Sequence, residues 1–173
     1  MNLKELIRDI PDFPKPGIVF KDITPVLGNP RALRWVVDRF AERYRGRVDA
    51  VVGIESRGFI FGAPVAYALG VGLAVVRKPG KLPYERHTVS YELEYGSDAL
   101  EIHTDALDRH HRVVVIDDLL ATGGTACAAV DLVRKVGASV VECAFLVELA
   151  FLKGAARLAP IPTFALIRYE DET

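Results

Sequence analysis

An unbroken apolar run that ends in two carboxylates and a glycine-rich turn constrains this chain more than any other feature. Residues 113–125 read VVVIDDLLATGGT, and the first four are all β-branched. A strand with one face in water alternates polar and apolar side chains, whereas a strand covered on both faces does not. Strands of the second kind are typical of parallel sheets with helices on both sides. The sequence therefore predicts an α/β fold.

Strand-like and helix-like segments alternate over most of the chain. Asn29 and Pro30 predict a helix start, because Asn is a good N-cap and Pro suits the first turn. The predicted helices cover residues 30–45, 57–69 and 124–136, with a short one before the last strand. The predicted strands cover residues 48–54, 73–77, 112–117, 139–147 and 163–169. We expect a central, mainly parallel five-stranded sheet flanked by helices, with ligands beyond the carboxyl ends of its strands.

Two segments fall outside this alternation. Residues 12–30 are rich in Pro and Gly, which predicts an ordered but irregular crossing. Residues 78–96 begin with Pro79, Gly80 and Pro83 and continue as a polar, aromatic run, which predicts a long flexible loop or an exposed hairpin. A segment of that length inside a compact domain is usually functional or mobile.

The composition bounds the function classes. A chain of 173 residues with a formal net charge of -1 suits one domain, residues 1–173, and disfavours a protein that coats nucleic acid. No apolar stretch approaches the length that crosses a bilayer, and charges near the N-terminus leave no signal-peptide core. Cys127 and Cys143 match no metal-ligand spacing and are typical of reduced thiols. We expect a cytoplasmic protein without nucleic-acid or membrane partners.

The string after the central strand has the residue types of a phosphate cradle. Its two glycines let a backbone approach a ligand closely, its threonines offer hydroxyl donors, and the helix start offers free N–H groups. It lacks the Gly-Lys-Ser/Thr end of a Walker A loop and the GxGxxG of a dinucleotide site. Adjacent carboxylates would repel a phosphate unless they faced hydroxyls or a cation, which indicates a sugar phosphate with a metal nearby. The residues are Asp117, Asp118, Ala121, Thr122, Gly123, Gly124 and Thr125.

This string resembles the phosphoribosyl-pyrophosphate signature of type I phosphoribosyltransferases. Other segments resemble the adenine-specific family within that class, and the resemblance extends from about residue 3 to residue 169. The segments are DFPKPGIVFKDITPV at 12–26, GIESRGFIFG at 53–62, RKPGKLP at 77–83, YELEYG at 91–96 and LVEL at 146–149. The string alone implies only the superfamily, and the other segments carry the adenine assignment.

The resemblance implies a role for each group of residues. The string from Asp117 to Thr125 would bind the phosphoribosyl group. The diphosphate would bind Glu55, Ser56, Arg57, Arg77, Lys78 and Lys81. An Arg fork and clustered cations suit a polyphosphate, although an exposed Arg at a helix start and a solvated charge run are the alternatives. In relatives the Glu-Ser peptide is often cis, and the cations can serve a partner subunit's site.

The same resemblance implies the base-binding and catalytic residues. Residues 1–30 would form a small hood, in which Phe20 stacks on adenine and backbone groups near Val19 and Lys21 read its polar edge. Relatives often have Arg where this chain has Lys21. Glu94 would accept the N9 proton and Tyr95 would close over the site. A core position for Phe20 and a polar hairpin edge for residues 94 and 95 are the alternatives.

The activity implied is transfer of the 5-phosphoribosyl group from phosphoribosyl diphosphate to N9 of adenine, giving AMP and diphosphate. Mg²⁺ would be held mainly by the substrate, without a direct protein ligand, and the protein would be a homodimer. Three alternatives stay open: an enzyme for another base, a regulatory sensor that binds nucleic acid, and a relative of the enzymes that make phosphoribosyl diphosphate. The hood segments, the net charge and the chain length disfavour them in that order.

Overall fold

The N-terminal segment is more regular than its composition predicts. The computed structural model describes residues 1–93 and 95–172. After a 3-10 turn at Leu3–Leu6, the strands β1 (Arg8–Ile10) and β2 (Phe20–Asp22) pair antiparallel, and helix α1 (Thr24–Gly28) follows. The prediction of an irregular crossing was therefore wrong for part of residues 12–30. The Asp22 carboxylate accepts hydrogen bonds from the backbone N–H and the hydroxyl of Thr24, both at 2.9 Å, which fixes the start of α1.

The predicted α/β architecture is confirmed. The remaining elements are α2 (Pro30–Tyr44), β3 (Ala50–Ile54), α3 (Arg57–Leu69), β4 (Gly72–Val76), β5 (Arg86–Glu92), β6 (Ser97–His103), β7 (Arg112–Leu120), α4 (Gly124–Val136), β8 (Ser139–Leu149), α5 (Gly154–Leu158) and β9 (Thr163–Tyr169). Within the described residues, five parallel strands form a sheet in the order β4-β3-β7-β8-β9. Asn29 caps α2 as expected, because its side chain accepts hydrogen bonds from the N–H groups of Arg31 and Ala32.

The unbroken apolar run of β7 is explained by the two layers that cover the sheet. Val113 and Val115 pack into a core that includes residues of α4, whereas Val114 and Ile116 pack on the other face with residues of α2 and α3. Successive side chains of a strand point to opposite faces, so both faces of β7 need apolar residues. No helix in the described ranges is both long and apolar enough to span a bilayer.

The segment after β4 forms a hairpin of β5 and β6 that lies against α4. The exposed hairpin was one of the two predicted forms of residues 78–96, but the return strand β6 was not predicted. Its buried Glu101 accepts hydrogen bonds from the backbone N–H of Gly80 at 2.9 Å, from Arg86 at 2.9 Å and from Thr88 at 2.7 Å. A backbone bridge between Arg77 and Glu101 joins the hairpin to the end of β4. These contacts hold the hairpin beside the carboxyl end of the sheet.

Candidate active site

A cleft of about 370 Å³ lies at the carboxyl ends of β3 and β7, where α3 and α4 begin. Open α/β sheets bind ligands at this edge. Among the described residues, eleven of the predicted site residues line the cleft: Glu55, Ser56, Arg57, Lys78, Asp117, Asp118, Ala121, Thr122, Gly123, Gly124 and Thr125. The structure thus brings the predicted sugar-phosphate string together with four of the six predicted diphosphate residues.

The glycine-rich turn is shaped by very close backbone packing. Gly123 has a φ of +89°, and a Cβ on it would lie 2.9 Å from the carbonyl oxygen of Gly154. A Cβ on Gly154 would lie 2.4 Å from the carbonyl oxygen of Ala121. The turn therefore rests directly on the start of α5, and side chains are excluded on both sides of this contact. Gly124, Thr125 and Ala126 of the first turn of α4 line the cleft, and the free N–H groups at a helix start suit an anion.

The acidic pair is held in two different environments. Asp118 is buried, and its Oδ2 lies 2.5 Å from Nε of Arg57. Asp117 accepts a hydrogen bond from the backbone N–H of Asp118 at 2.9 Å. Burial, and next the neighbouring Asp118 carboxylate, raises the pKa of Asp117 well above its ordinary value. A Cβ on Gly58 would lie 2.7 Å from the Ile116 carbonyl oxygen, so only glycine allows α3 to begin this close to the pair.

Glu55 organises the predicted diphosphate cations. Its carboxylate accepts hydrogen bonds from the backbone N–H of Lys78 at 2.7 Å and from Nζ of Lys81 at 2.5 Å, and Nη2 of Arg77 lies 3.5 Å away. Burial works to raise the pKa of Glu55, but these bonds outweigh it and the pKa is lowered. An anion cannot itself attract diphosphate, so the Glu55 side chain orients cations. The peptide bond between Glu55 and Ser56 is cis.

The predicted base-binding residues Val19, Phe20 and Lys21 do not line the cleft, but Phe20 lies beside Arg57, which does. The Phe20 ring is half-buried, and the Arg57 guanidinium carbon lies 5.8 Å from its centroid. Phe13 packs edge-on against Phe20, with 5.2 Å between ring centroids. The Lys21 side chain turns away, because its Nζ lies 2.8 Å from Oδ1 of Asp9 and 4.2 Å from the centroid of the Tyr169 ring. With its side chain engaged in these contacts, Lys21 has only backbone groups left for the role predicted at this position.

Of the two predicted catalytic residues, Tyr95 lies at the end of the β5–β6 hairpin. Tyr95 is 80% exposed, and Nζ of Lys15 lies 5.5 Å from the centroid of its ring. This contact joins the hairpin end to the N-terminal segment. Glu94, the predicted general base, lies outside the described residues.

Several residues of the site were not predicted. Phe145 of β8 lines the cleft, and Gly154 supports the glycine-rich turn. Tyr91 and Asp98 of the hairpin contact Lys78. The segment around Tyr91 resembled the family, but nothing in the local sequence indicates that its hydroxyl would reach the turn after β7. Glycine at the start of the short helix α5 was a signal for close packing that could have been used.

The donor set fits a magnesium ion that binds together with the substrate. The described part of the chain contains no group of three or more His, Cys, Asp and Glu side chains that could hold a metal ion. Mg²⁺ is commonly bound by one or two carboxylates together with substrate phosphates and waters. The adjacent Asp117 and Asp118 at the cleft provide carboxylates of that kind.

A glycine-rich turn at the start of a helix, an acidic pair before it and the cations Arg57 and Lys78 line one cleft, and this combination is typical of a phosphoribosyltransferase. The family model described as a phosphoribosyl transferase domain matches residues 29–162. The adenine phosphoribosyltransferase of Roseiflexus sp. strain RS-1 is 62% identical over 169 residues, which are 97% of this chain and 98% of that protein.

Solved structures similar to this chain are also adenine phosphoribosyltransferases. The crystal structure of adenine phosphoribosyltransferase from Thermoanaerobacter pseudethanolicus has a TM-score of 0.93 at 51% identity, covering 96% of this chain and 98% of the other. The Saccharomyces cerevisiae enzyme, complexed with an imino-altritol bisphosphate and adenine, has a TM-score of 0.91 at 43% identity, covering 95% and 96%. The chain belongs to the adenine phosphoribosyltransferase family.

Proposed function

We propose that this protein transfers the 5-phosphoribosyl group of phosphoribosyl diphosphate to N9 of adenine, which gives AMP and diphosphate and salvages the purine. The observation that carries the proposal is one cleft lined by the glycine-rich turn, the acidic pair and the cations Arg57 and Lys78. A sugar that carries phosphate groups at both ends needs this division of charge. The similarity to adenine phosphoribosyltransferases over nearly the whole chain supports the choice of base.

The reaction exchanges one bond at C1 of the ribose. The C1–O bond to diphosphate breaks and its electron pair leaves with the diphosphate. The lone pair of adenine N9 forms the new bond to C1 on the opposite face, and the N9 proton goes to a base. Positive charge builds on the sugar between these events, so the protein acts by positioning the reactants and stabilising charge.

Each wall of the cleft has a part in this scheme. The backbone of the turn at residues 121–125 and the hydroxyls of Thr122 and Thr125 would bind the 5-phosphate. The Asp117 and Asp118 carboxylates would accept hydrogen bonds from the ribose 2- and 3-hydroxyls and offset the charge that builds on the sugar. Bound Mg²⁺ would supply additional positive charge for the diphosphate, beside this acidic pair.

The diphosphate would be bound by Arg57 and by the cations that Glu55 organises. Arg57 has only part of its guanidinium engaged with Asp118 and lines the cleft with its remaining donors. The Arg77 and Lys81 side chains contact the Glu55 carboxylate, whereas the Lys78 ammonium pairs with Asp98. A diphosphate would therefore compete with a carboxylate for each of these three cations.

The base would lie between the N-terminal segment and the hairpin. Phe20 beside Arg57 offers a ring face to the purine, and backbone groups at Val19 and Lys21 would read its edge. Closure of the hairpin end, with Tyr95, would exclude water from the reactive sugar. Glu94 is proposed as the acceptor of the N9 proton.

A homodimer is part of the proposal. Ile60 and Tyr67 on α3 and Leu73 on the edge strand β4 are exposed, Tyr67 to 89%. Apolar side chains on one helix and the neighbouring sheet edge are typical of a surface that a second copy covers. Location in the cytoplasm is also proposed, because a substrate with several phosphate charges does not cross a bilayer unaided.

The test is diphosphate release from phosphoribosyl diphosphate with Mg²⁺, when adenine, hypoxanthine, guanine, xanthine and orotate are offered separately. Release with adenine alone is expected. Release with another base alone would keep the phosphoribosyl site and overturn the proposed base specificity. Binding of phosphoribosyl diphosphate without release for any base would instead support a sensor.

A further inference from the structure

Tyr91 does not line the cleft, but its hydroxyl contacts two residues that do, Lys78 and Thr125. Its hydroxyl lies 3.3 Å from Nζ of Lys78 and 3.3 Å from Oγ1 of Thr125, and both of these residues line the cleft. A third neighbour, Oδ2 of Asp98, lies 3.3 Å away and forms an ion pair with Lys78. One phenol therefore joins a lysine at the diphosphate end to a threonine at the 5-phosphate end.

The Tyr91 ring is fixed where this connection needs it. The ring is half-buried, and a Cβ on Gly124 would lie 3.4 Å from its Cδ2. Nζ of Lys78 lies 5.8 Å from its centroid. The hairpin strand β5 thus packs its tyrosine directly against the first residue of α4, so movement of the hairpin and movement of the turn are mechanically linked.

Resting on the function proposed above, we propose that Tyr91 is a positioning residue that couples occupation of the 5-phosphate end to the placement of Lys78 at the diphosphate end. A phosphate oxygen can only accept hydrogen bonds, so a Thr125 hydroxyl that donates to it must accept from Tyr91. The Tyr91 hydroxyl has one proton and then no longer donates to Asp98. Its oxygen, polarised by that bond, becomes a stronger acceptor for Lys78.

The distances and charges agree with such a group. Three contacts of 3.3 Å are long for a hydroxyl and leave room to tighten when a ligand binds. Burial works to lower the pKa of Lys78, but hydrogen bonds to Asp98 and Tyr91 outweigh it and the pKa is raised. The lysine is therefore charged at neutral pH and available to a diphosphate.

The test measures the coupling directly with the two halves of the substrate. Binding of diphosphate to the full chain with Mg²⁺ is measured by calorimetry, with and without saturating ribose 5-phosphate. In the unmodified protein, ribose 5-phosphate should tighten diphosphate binding about fivefold. In Tyr91→Phe the ratio should fall to within about twofold of one, and the KM for phosphoribosyl diphosphate should rise about tenfold with kcat changed less than about threefold.

Tyr84→Phe is the matched control, because it removes a hydroxyl from an exposed ring that packs on His103 of the same hairpin. It should keep the full coupling ratio. If Tyr91→Phe does not fold, Asp98→Asn is the second variant, because Asp98 contacts both the Tyr91 hydroxyl and Lys78. It should lower the coupling ratio as well. An unchanged ratio in the folded variant, or no coupling in the unmodified protein, overturns the proposal.

The same experiments separate this inference from the proposed reaction. Failure of the unmodified protein to release diphosphate with adenine would overturn the reaction, while the binding ratio would still test Tyr91. Turnover with adenine together with an unchanged ratio in Tyr91→Phe would keep the reaction and overturn the coupling.

Discussion

Nε of Arg57 lies 2.5 Å from Oδ2 of Asp118, which pairs a cation assigned to the diphosphate with a carboxylate assigned to the ribose. The Arg57 side chain is 47% exposed, whereas the Asp118 side chain is 7% exposed. A guanidinium has five N–H donors, so Arg57 can hold Asp118 and still offer donors to the cleft. The pair therefore orients the carboxylate proposed to bind the ribose and the cation proposed to bind the diphosphate together, and substrate could bind without separating them.

The first prediction is that Arg57→Lys raises the KM for phosphoribosyl diphosphate about tenfold. Lysine keeps the charge, but it cannot bond to Asp118 and to a diphosphate oxygen with a rigid planar fork. Steady-state kinetics with varied phosphoribosyl diphosphate measure the effect. Arg134→Lys is the control, since Arg134 forms an exposed ion pair with Asp131 on the surface of α4. Equal KM values in the two variants would contradict the role of Arg57.

The second prediction concerns the contact between the glycine-rich turn and Gly154 at the start of α5. A Cβ on Gly154 would lie 2.4 Å from the Ala121 carbonyl oxygen and 3.1 Å from the backbone nitrogen of Gly123. Backbone atoms must move to admit it, so Gly154→Ala should weaken ribose 5-phosphate binding about tenfold and cost about 2 kcal/mol of stability. Calorimetry and thermal melting measure the two effects.

Gly28→Ala is the matched control for that substitution. A Cβ there has no atom within 4 Å among the described residues. The control should bind ribose 5-phosphate with unchanged affinity, and the melting midpoint should stay within about 2 °C. If Gly154→Ala behaves like this control, the turn is not held by the start of α5.

The sheet could be predicted because its pattern is local. The bounds of α3, α4 and β9 follow from capping residues, glycine stops and β-branched runs that lie next to one another in the chain. Strand β6 could not be found in this way, because its buried Glu101 interrupts the apolar pattern and is explained only by partners from β5 and the preceding loop. Short β1 and β2 were hidden by the prolines and glycines between them.

The candidate site also has a part that local sequence predicts and a part that only tertiary contacts reveal. The string from Asp117 to Thr125 is contiguous, so its chemistry is visible without any structure. Tyr91 and Gly154 meet this string from distant parts of the chain, and only the tertiary contacts give them a role. Lys21 was predicted from sequence as a site residue, but its side chain pairs with Asp9 and is directed away from the site.

The third prediction follows from the pKa of Asp117, which burial and then Asp118 raise above its ordinary value of 3.8. A carboxyl with a raised folded-state pKa adds stability below the unfolded pKa, and this stability is lost as pH rises through the folded pKa. Asp117→Asn does not titrate and keeps an acceptor for the Asp118 N–H. Its melting midpoint should therefore exceed that of the unmodified protein by a margin that grows as pH rises.

The activity of Asp117→Asn should fall, although its stability should rise. Without the Asp117 carboxylate the ribose hydroxyls would lose the acceptor proposed for them, and kcat/KM should fall about 30-fold. Melting curves between pH 4 and about pH 8, together with kinetics at neutral pH, test both parts. A variant that is less stable at every pH would contradict the raised pKa of Asp117, and undiminished turnover would contradict its proposed role toward the ribose.

The fourth prediction concerns Glu142, which joins α2 to the sheet far from the cleft. Its carboxylate accepts hydrogen bonds from Arg43 at 2.7 and 2.9 Å and from the Tyr44 hydroxyl at 2.7 Å. Burial works to raise its pKa, but the bonds from Arg43 and Tyr44 outweigh it and the pKa is lowered from 4.5. The stability from this shift is present above the ordinary pKa and is lost as pH falls through the lowered one.

Glu142→Gln should lower the free energy of unfolding by about 2 kcal/mol at pH 7, because an amide offers one acceptor oxygen where three donors converge. The difference in melting midpoint should shrink as pH falls below about 4, when the unmodified carboxylate also takes up a proton. Glu42→Gln is the control, since its pair with Arg39 on the same helix is exposed and should contribute less than about 0.5 kcal/mol. Neither Glu142 nor Glu42 lines the cleft, so kcat should stay the same in both variants. A deficit in Glu142→Gln that persists undiminished at low pH would show that packing, rather than the ionised carboxylate, joins α2 to β8.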